Sequence, residues 1–198
     1  VFAALHRQLY RDFEVQLVDS GSVDRTRDIA AENGARIVHL RSEDFTFGHS
    51  LNVGIEAAHG EFMAIISAHA IPSDEHWLGK LVEPLRRPGV AMVYGGQRAH
   101  ALTKFSEARD FERVFPDTPH EITDPEKPFA NNANSAILRS LWKSHGFDEG
   151  LPGLEDIEWA AHWLNKGRKV AYEPAACIIH VHTETWPQVR RRYYREGM

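Results

Sequence analysis

The strongest constraint on the fold is an alternation of helical and strand-like segments in the first half of the chain. Four apolar stretches, "FEVQLV", "ARIVHL", "EFMAIIS" and "VAMVYGGQ", have the length and residue types of buried strands, and helical spacing of apolar residues recurs between them. Strands that alternate with helices typically form a largely parallel sheet that is covered by helices on both faces. The sequence therefore predicts the α/β class.

This regular pattern weakens after Arg98. The segment "HALTKFSEARDFERVF" is compatible with a helix, residues 116–136 read as a long loop, and "LEDIEWAAHWLNKG" has the apolar spacing of an amphipathic helix. A last strand-like run is interrupted by Pro174. Since no repeat or linker is visible, residues 1–198 are predicted to form a single domain.

Composition excludes several classes of protein. The formal net charge of -5 disfavours a nucleic-acid binder that relies on phosphate contacts. The single cysteine, Cys177, cannot form an internal disulfide. The sequence also lacks the run of about 18 apolar residues that a membrane-spanning helix needs.

Polar side chains end two of the predicted strands, where open α/β sheets bind their ligands. Asp19, in "LVDSGSVDRT", could accept hydrogen bonds from a base or ribose, or could simply cap the next helix. His69, in "ISAHAIP", could bind a metal or donate to a phosphate. A solvated loop histidine is the alternative for His69.

The second half of the chain offers two pairs of ionisable residues. Glu155 and Asp156 begin a predicted helix, where a carboxylate could favour the positive helix end or serve as a general base. His180 and His182 lie two residues apart, so on a strand they share a face and could form a metal or phosphate site. Two unrelated histidines on an exposed strand edge are the alternative.

The segment "FANNANSA" supplies amide and hydroxyl side chains. Asn131, Asn134 and Ser135 could bind sugar hydroxyls, and a turn-rich loop without a ligand is the alternative.

Taken in order, five blocks resemble the glycosyltransferases of family 2, which have the GT-A fold. The blocks are "FEVQLVDSGSVDRT", "FGHSLNVGIEAAHGEFMAIISAHAIP", "WLGKLVEPL", "FANNANSAILRSLW" and "GLEDIEWAAHWLNKGRKVAYEPAACIIHVH". Within that family the chain is similar to rhamnosyltransferase-like enzymes of bacterial polysaccharide assembly. The resemblance implies a Rossmann-like, mostly parallel sheet whose first strand should precede Val1. We therefore expect a chain that lacks this N-terminal strand and is truncated at both ends.

The resemblance also divides the chain into two functional halves. Residues 1–98 correspond to the nucleotide-sugar-binding half, and residues 99–198 to the acceptor-binding and catalytic half. The roles that it implies are a catalytic base at Asp156 beside Glu155, donor contacts at Asp19, Ser20, Asn52 and His69, acceptor contacts at Asn131, Asn134 and Ser135, and metal ligands among His69, His180 and His182.

One block departs from the family pattern. Ala68, His69 and Ala70 stand where the family usually has the carboxylates of its DXD motif, and alanine cannot hold Mg²⁺. Three interpretations are open. His69 could bind a divalent cation, Mn²⁺ or Mg²⁺, together with His180 or His182; the enzyme could work without metal; or the domain could have lost its activity.

The predicted function is inverting transfer of a sugar from a nucleotide-sugar to an acceptor hydroxyl, in polysaccharide or cell-surface glycan synthesis. A catalytically inactive nucleotide-sugar-binding or glycan-binding domain is the alternative. The expected partners are the donor and a glycan or lipid-linked acceptor, without nucleic acid. The expected location is the cytoplasm, with the basic C-terminal segment "RRRYYR" as a candidate for contact with the inner face of the membrane.

Overall fold

A computed structural model describes residues 1–101, 103–181 and 185–196. The helices are α1 (Phe2–Leu5), α2 (Thr26–Glu32), α3 (Phe47–Ala57), α4 (Trp77–Val82), α5 (Phe105–Val114), α6 (Arg139–Trp142), α7 (Glu155–Asn165) and α8 (Trp186–Glu196). The strands are β1 (Gln16–Asp19), β2 (Arg36–His39), β3 (Phe62–Ile66), β4 (Ala70–Pro72), β5 (Val90–Ala99), β6 (His120–Ile122), β7 (Asn134–Leu138) and β8 (Lys169–His180).

The strands form two sheets within the described residues. β1 and β2 make a parallel pair, and the larger sheet has the order β3-β7-β5-β8-β4, with β6 paired to β8. β5 and β8 are parallel, whereas β7 is antiparallel to both β3 and β5. It follows that β3, β5 and β8 run in one direction, as the alternation predicts. The opposite strands of the sheet are β7, β4 and β6.

Helices cover both faces of the larger sheet. Along β5, Met92 and Tyr94 pack in a core with Trp159 of α7, while Val93 between them packs in a second core with Trp77 of α4. This is the alternation of side chains that a strand imposes, and it places α7 and α4 on opposite faces. The predicted α/β class with helices on both faces is confirmed.

The pairing of β5 with β8 is irregular near Gln97. The register shifts between Gly95 and Gln97, opposite the part of β8 that contains Pro174. A Cβ on Gly95 would lie 2.1 Å from the Ala176 carbonyl oxygen, so only glycine allows this approach of the two backbones. The sequence predicts a strand interrupted at Pro174, whereas the structure has one continuous strand, β8, whose register shift accommodates the proline.

The larger sheet takes strands from both halves of the sequence, since β3, β4 and β5 precede residue 100 and β6, β7 and β8 follow it. The two functional halves therefore share a sheet, and their separate roles stay a prediction. Across the ranges that the structure describes, every helix is too short or too polar to cross a membrane.

Candidate active site

Two histidines meet at the edge of the larger sheet where β3 and β8 end. His69 lies between β3 and β4, and its ring stacks on that of His180, the last residue of β8, with 4.7 Å between ring centroids. The His69 carbonyl accepts a hydrogen bond from the Val181 amide at 3.0 Å, and the Ser67 hydroxyl lies 2.9 Å from His69 Nδ1. The strand ends thus bring together two of the predicted metal or phosphate contacts.

A chain of amide contacts fixes the tautomer of His180. The Ala133 amide donates to Asn131 Oδ1, which therefore must be an oxygen, and this same oxygen accepts from Gln97 Nε2 at 2.9 Å. Gln97 consequently presents Oε1 to His180 Nδ1 at 2.8 Å. Because an amide oxygen only accepts, His180 Nδ1 carries a proton. In the neutral imidazole, Nε2 then holds the lone pair that a metal or a proton would use.

Asp156 lies in the first turn of α7 and is half-buried. Its two carboxylate oxygens accept from the Asn132 amide at 3.0 Å and from the Ile157 amide at 2.8 Å. Burial, and then the negative charge of Glu155, raise the pKa of Asp156 to about 6. A carboxylate with this pKa is ionised at neutral pH and is more basic than an ordinary aspartate.

Glu155 and Asp156 have different environments although they are adjacent. Glu155 is only 6% exposed, and its Oε1 accepts from Asn132 Nδ2 at 3.2 Å. Just before it, Leu154 adopts φ 64°, in the left-handed region that a leucine rarely occupies. Such backbone strain is often found at functional sites. The raised pKa of Asp156 makes it a carboxylate that can accept a proton near neutral pH, and its role as the catalytic base stays a prediction.

The loop that precedes β7 connects the histidines to the carboxylate. Asn131 contacts Gln97, which holds His180, while the next residue, Asn132, contacts both Glu155 and Asp156. Five separate parts of the sequence therefore meet here, and we call this group the histidine–aspartate site and define it by His69, His180, Asn131 and Asp156.

Two of the three predicted acceptor contacts are wrong. Asn134 and Ser135 are 0% exposed, so neither can touch a sugar. Asn134 accepts from Trp77 Nε1 and donates to the carbonyls of Gly96 and Ala176, and Ser135 donates to Asn132 Oδ1. These polar side chains hold β7 in the sheet and satisfy buried backbone groups.

Asp19 ends β1 in the smaller sheet and is 4% exposed. It accepts hydrogen bonds from the amides of Gly21 and Ser22. The pKa of Asp19 is held below its ordinary value, first by the hydrogen bond with the Ser22 side chain and then by these two amides and Arg27. The carbonyl of Ser20 accepts from the Ser42 hydroxyl at 2.7 Å. Both residues thus shape the turn after β1, and their contact with a donor stays a prediction.

Asn52, on α3, is engaged inside the protein. Its Oδ1 accepts from the Phe147 amide and from Trp142 Nε1, and its Nδ2 donates to the Phe147 carbonyl and to Glu149. Through these hydrogen bonds, Asn52 anchors the segment around Phe147. The contact of Asn52 with the donor stays a prediction.

Comparison with known proteins places the chain in a family. The family model described as Glycosyl transferase family 2 matches residues 1–146, nearly three quarters of the chain. The chain belongs to glycosyl transferase family 2. The resemblance predicted from the five sequence blocks is confirmed.

Two curated relatives cover the whole chain at low identity. The O-antigen chain rhamnosyltransferase WbaN of Salmonella anatum is 27% identical, and the O-antigen chain rhamnosyltransferase RfbN of Salmonella typhimurium is 28% identical. The chain spans 65% and 66% of their respective lengths, a little less than two thirds.

Solved structures confirm the GT-A fold. The mannosyltransferase PcManGT from Pyrobaculum calidifontis, in complex with GDP-Man and Mn²⁺, has a TM-score of 0.75 and 22% identity over 98% of this chain and 56% of that one. Glucosyl-3-phosphoglycerate synthase from Mycobacterium tuberculosis, in complex with Mn²⁺, UDP and glucosyl-3-phosphoglycerate, has a TM-score of 0.65 and 19% identity over 100% of this chain and 75% of that one.

The family's usual cation fits the histidine–aspartate site only in part. Ala68 and Ala70 offer no oxygen ligand, and in the described parts of the chain no third metal-binding side chain groups with His69 and His180. His182, the third predicted ligand, lies outside the described residues. Two imidazoles suit Mn²⁺ or a softer ion and do not suit Mg²⁺, which prefers oxygen ligands.

Two residues that support this site, Asn132 and Gln97, are not predicted by the sequence. Nothing distinguishes Asn132, because every asparagine of an Asn-rich loop looks alike in the sequence. Gln97 lies near the end of an apolar strand, where a glutamine gives no pattern to detect. A position 1% exposed and bonded to a histidine 83 residues away emerges only from the pairing of β5 with β8.

Proposed function

We propose that the chain is the donor-binding and catalytic part of an inverting glycosyltransferase that acts on a nucleotide-sugar and an acceptor hydroxyl. The observation that carries the proposal is Asp156. It is a half-buried carboxylate with a pKa of about 6, at the position where the family resemblance implies the catalytic base. An activated rhamnose is the first donor to test, because both curated relatives carry the name rhamnosyltransferase.

Asp156 takes the proton of the acceptor hydroxyl as its oxygen attacks the anomeric carbon. The amides of Asn132 and Ile157 orient the carboxylate, since each donates to a different oxygen. The C–O bond to the departing diphosphate breaks on the opposite face, so the configuration inverts. General-base assistance of this kind contributes rate factors on the order of 10²–10⁴.

The stacked histidines stabilise the leaving diphosphate. Gln97 holds the ring of His180 through Nδ1, and the exposed His69 that stacks on this ring is the histidine that can contact phosphate. A divalent cation, when bound, would neutralise the diphosphate charge, and His69 and His180 are the described residues that would hold it.

The remaining roles follow the family resemblance. Asp19, Ser20 and Asn52 belong to the donor side, and Asn131, half-buried beside Gln97, is the predicted acceptor contact that the structure leaves accessible. The acceptor is a glycan or lipid-linked saccharide, without a nucleic-acid partner. A protein of this kind works in the cytoplasm, and its basic helix α8 touches the membrane surface where such acceptors lie.

One observation favours a second function. Without carboxylates at residues 68 and 70, the protein could bind a nucleotide-sugar or a glycan without transferring the sugar. The tuned carboxylate of Asp156 argues against this, because a binding domain needs no base.

The test is hydrolysis and transfer from a panel of nucleotide-sugars by the full-length protein, with EDTA and then with Mn²⁺ or Mg²⁺ restored. His69→Ala and Asp156→Asn are measured beside the wild type. Turnover that Asp156→Asn abolishes while donor binding persists supports the proposal. Donor binding without turnover in the wild type under every condition would leave the binding-domain function instead.

A further inference from the structure

Three metal-binding side chains meet on the side of α7, outside the histidine–aspartate site. His145 follows α6, whereas Glu158 and His162 lie one turn apart on α7 and so face the same way. One potential ligand atom from each lies within 4.8 Å of the other two. Of the residues that the structure describes, these three make up the one such group.

Two polar atoms of this group are buried without a hydrogen bond. His145 Nε2 and Glu158 Oε2 are both shielded from solvent, and neither has a hydrogen bond within the described ranges. His145 Nε2 lies 3.4 Å from the other oxygen of Glu158. Buried nitrogen and oxygen atoms without hydrogen bonds are costly, and a bound ion would satisfy them.

The main chain around His145 is already fixed. Its amide donates to the Leu141 carbonyl at 3.0 Å, and its carbonyl accepts from Trp159 Nε1 at 2.8 Å. Trp159 is itself 0% exposed, so His145 is held against α7 by the core. A ligand set in which one member is anchored and two share a helix needs little ordering to bind an ion.

The two imidazoles of the group also lie directly against each other. The rings of His145 and His162 stack with 3.5 Å between their centroids. Imidazole nitrogens are common ligands of transition metals, so two such ligands are already gathered beside Glu158.

We propose that His145, Glu158 and His162 bind a transition-metal ion, best matched by Zn²⁺, and so clamp the connection between α6 and α7. Two imidazoles and one carboxylate form a recognised three-ligand zinc set, with water in the fourth position. Ligand atoms lie about 2.0–2.2 Å from Zn²⁺, so the stacked rings of His145 and His162 must rotate out of their parallel arrangement to direct both nitrogens at one ion. The clamp would hold the segment that leads to Asp156, at the other end of the same connection.

The proposal is tested on the full-length protein after removal of any histidine tag. Equilibrium dialysis counts bound Zn²⁺, and Co²⁺ substitution reports four-coordinate geometry by its visible absorption. We expect His162→Gln and Glu158→Gln each to weaken Zn²⁺ binding at this site at least about tenfold and to abolish the Co²⁺ band. Zn²⁺ should also slow hydrogen exchange across residues 143–158 in the wild type and not in either variant.

Two controls separate this site from other metal binding. His59→Gln removes a histidine that lies 3.3 Å from Glu14 in a surface pair, and it should change nothing. His69→Ala should leave the clamp intact even if it removes a metal from the histidine–aspartate site. Circular dichroism and thermal unfolding without metal show whether each variant is folded, and Glu158→Gln, at a side chain 35% exposed, is the gentler change.

Equal Zn²⁺ binding and an unchanged Co²⁺ spectrum in the wild type, His162→Gln and Glu158→Gln would overturn the proposal. So would a wild type that binds no Zn²⁺ at neutral pH, which would leave the cluster as a contact between His145 and Glu158. Neither result depends on whether the protein transfers a sugar, because every readout here concerns the metal.

Discussion

The pKa of Asp156 connects one residue to the pH dependence of the proposed reaction. Since the ionised carboxylate takes the proton, transfer by the full-length protein should rise with pH through about 6 and level off above it. Asp156→Asn should lower kcat by a factor on the order of 10²–10⁴ across this range. Glycosyl-transfer assays at constant donor concentration from pH 5 to pH 8 measure both effects.

Glu155→Gln is the matched control for this prediction. It removes the neighbouring negative charge that helps to raise the pKa of Asp156, so the midpoint of the profile should move to lower pH. The kcat above neutral pH should stay within a few fold of the wild type. A pH profile with no transition near 6, or full activity in Asp156→Asn, would contradict the assignment of the base.

Because its pKa is raised in the folded protein, ionised Asp156 should lower the free energy of unfolding at neutral pH. Its pKa is about 6 in the folded protein and about 3.9 in an unfolded chain, so the folded state binds the proton more tightly. The protonated carboxyl therefore contributes fully to the free energy of unfolding below about pH 3.9, and this contribution is lost as the pH rises through 6. Asp156→Asn should therefore raise the free energy of unfolding at pH 7.5 by up to ~3 kcal/mol, less the contribution of one weakened hydrogen bond.

Urea denaturation at two pH values measures this gain. The difference between Asp156→Asn and the wild type should be present at pH 7.5 and should nearly vanish at pH 4. If Asp156→Asn differs from the wild type by the same free energy of unfolding at both pH values, then ionisation of Asp156 does not destabilise the folded protein.

At the scale of elements, α3 is fixed tightly against the segment that precedes α7. A Cβ on Gly48 would lie 2.2 Å from the Asp148 carbonyl oxygen, and Asn52 on the same helix binds both backbone groups of Phe147. Gly48→Ala should therefore push this backbone away and lower the free energy of unfolding by about 1–3 kcal/mol. Thermal or urea unfolding of the purified variant measures the loss.

Gly79→Ala provides the comparison, because Gly79 lies inside α4 and a Cβ there would meet nothing within 4 Å. Alanine at this open helical position should stabilise the protein by roughly 0.5–1 kcal/mol. If both alanine variants change stability in the same direction, then close packing of α3 is not what requires Gly48.

The sequence predicted the elements better than their pairing. Local patterns sufficed for α3, α7 and the apolar strands, because each pattern is set within one segment. The place of β7 between β3 and β5 depends on residues more than 40 positions away, such as Met92 opposite Ile137, and no local pattern encodes it. The same holds for Asn134, which looks like a loop residue in the sequence and is in fact a fully buried hydrogen-bonding centre.

The same distinction between local patterns and distant contacts separates the site residues that the sequence predicts from those that it does not. Asp156 and the histidine at residue 69 were found because they follow strand ends or begin a helix in blocks that the family shares. Gln97 and the His145–Glu158–His162 group were missed because their partners come from distant segments. Only the spacing of Glu158 and His162, four residues apart on a predicted helix, gave a signal in the sequence that could have been used.

For the whole molecule, the distribution of charge matters more than its sum. The formal net charge is -5, so the protein as a whole should be repelled by an anionic surface. Helix α8 nevertheless presents exposed Arg190 and Arg191 together with Trp186, which is 65% exposed, and Tyr194, which is 71% exposed. Basic side chains beside exposed aromatic rings are typical of helices that lie on membranes.

We therefore expect the full-length protein to sediment with vesicles that contain phosphatidylglycerol and not with vesicles of phosphatidylcholine alone, and to be released by salt. At ~1 kcal/mol for each arginine near the surface, the double variant Arg190→Ala/Arg191→Ala should bind about 30-fold more weakly. Arg25→Ala/Arg41→Ala removes the same charge from side chains 70% and 71% exposed elsewhere, and it should bind like the wild type. If the two double variants weaken binding equally, the attraction comes from the total charge of the protein, and α8 is not a specific membrane contact.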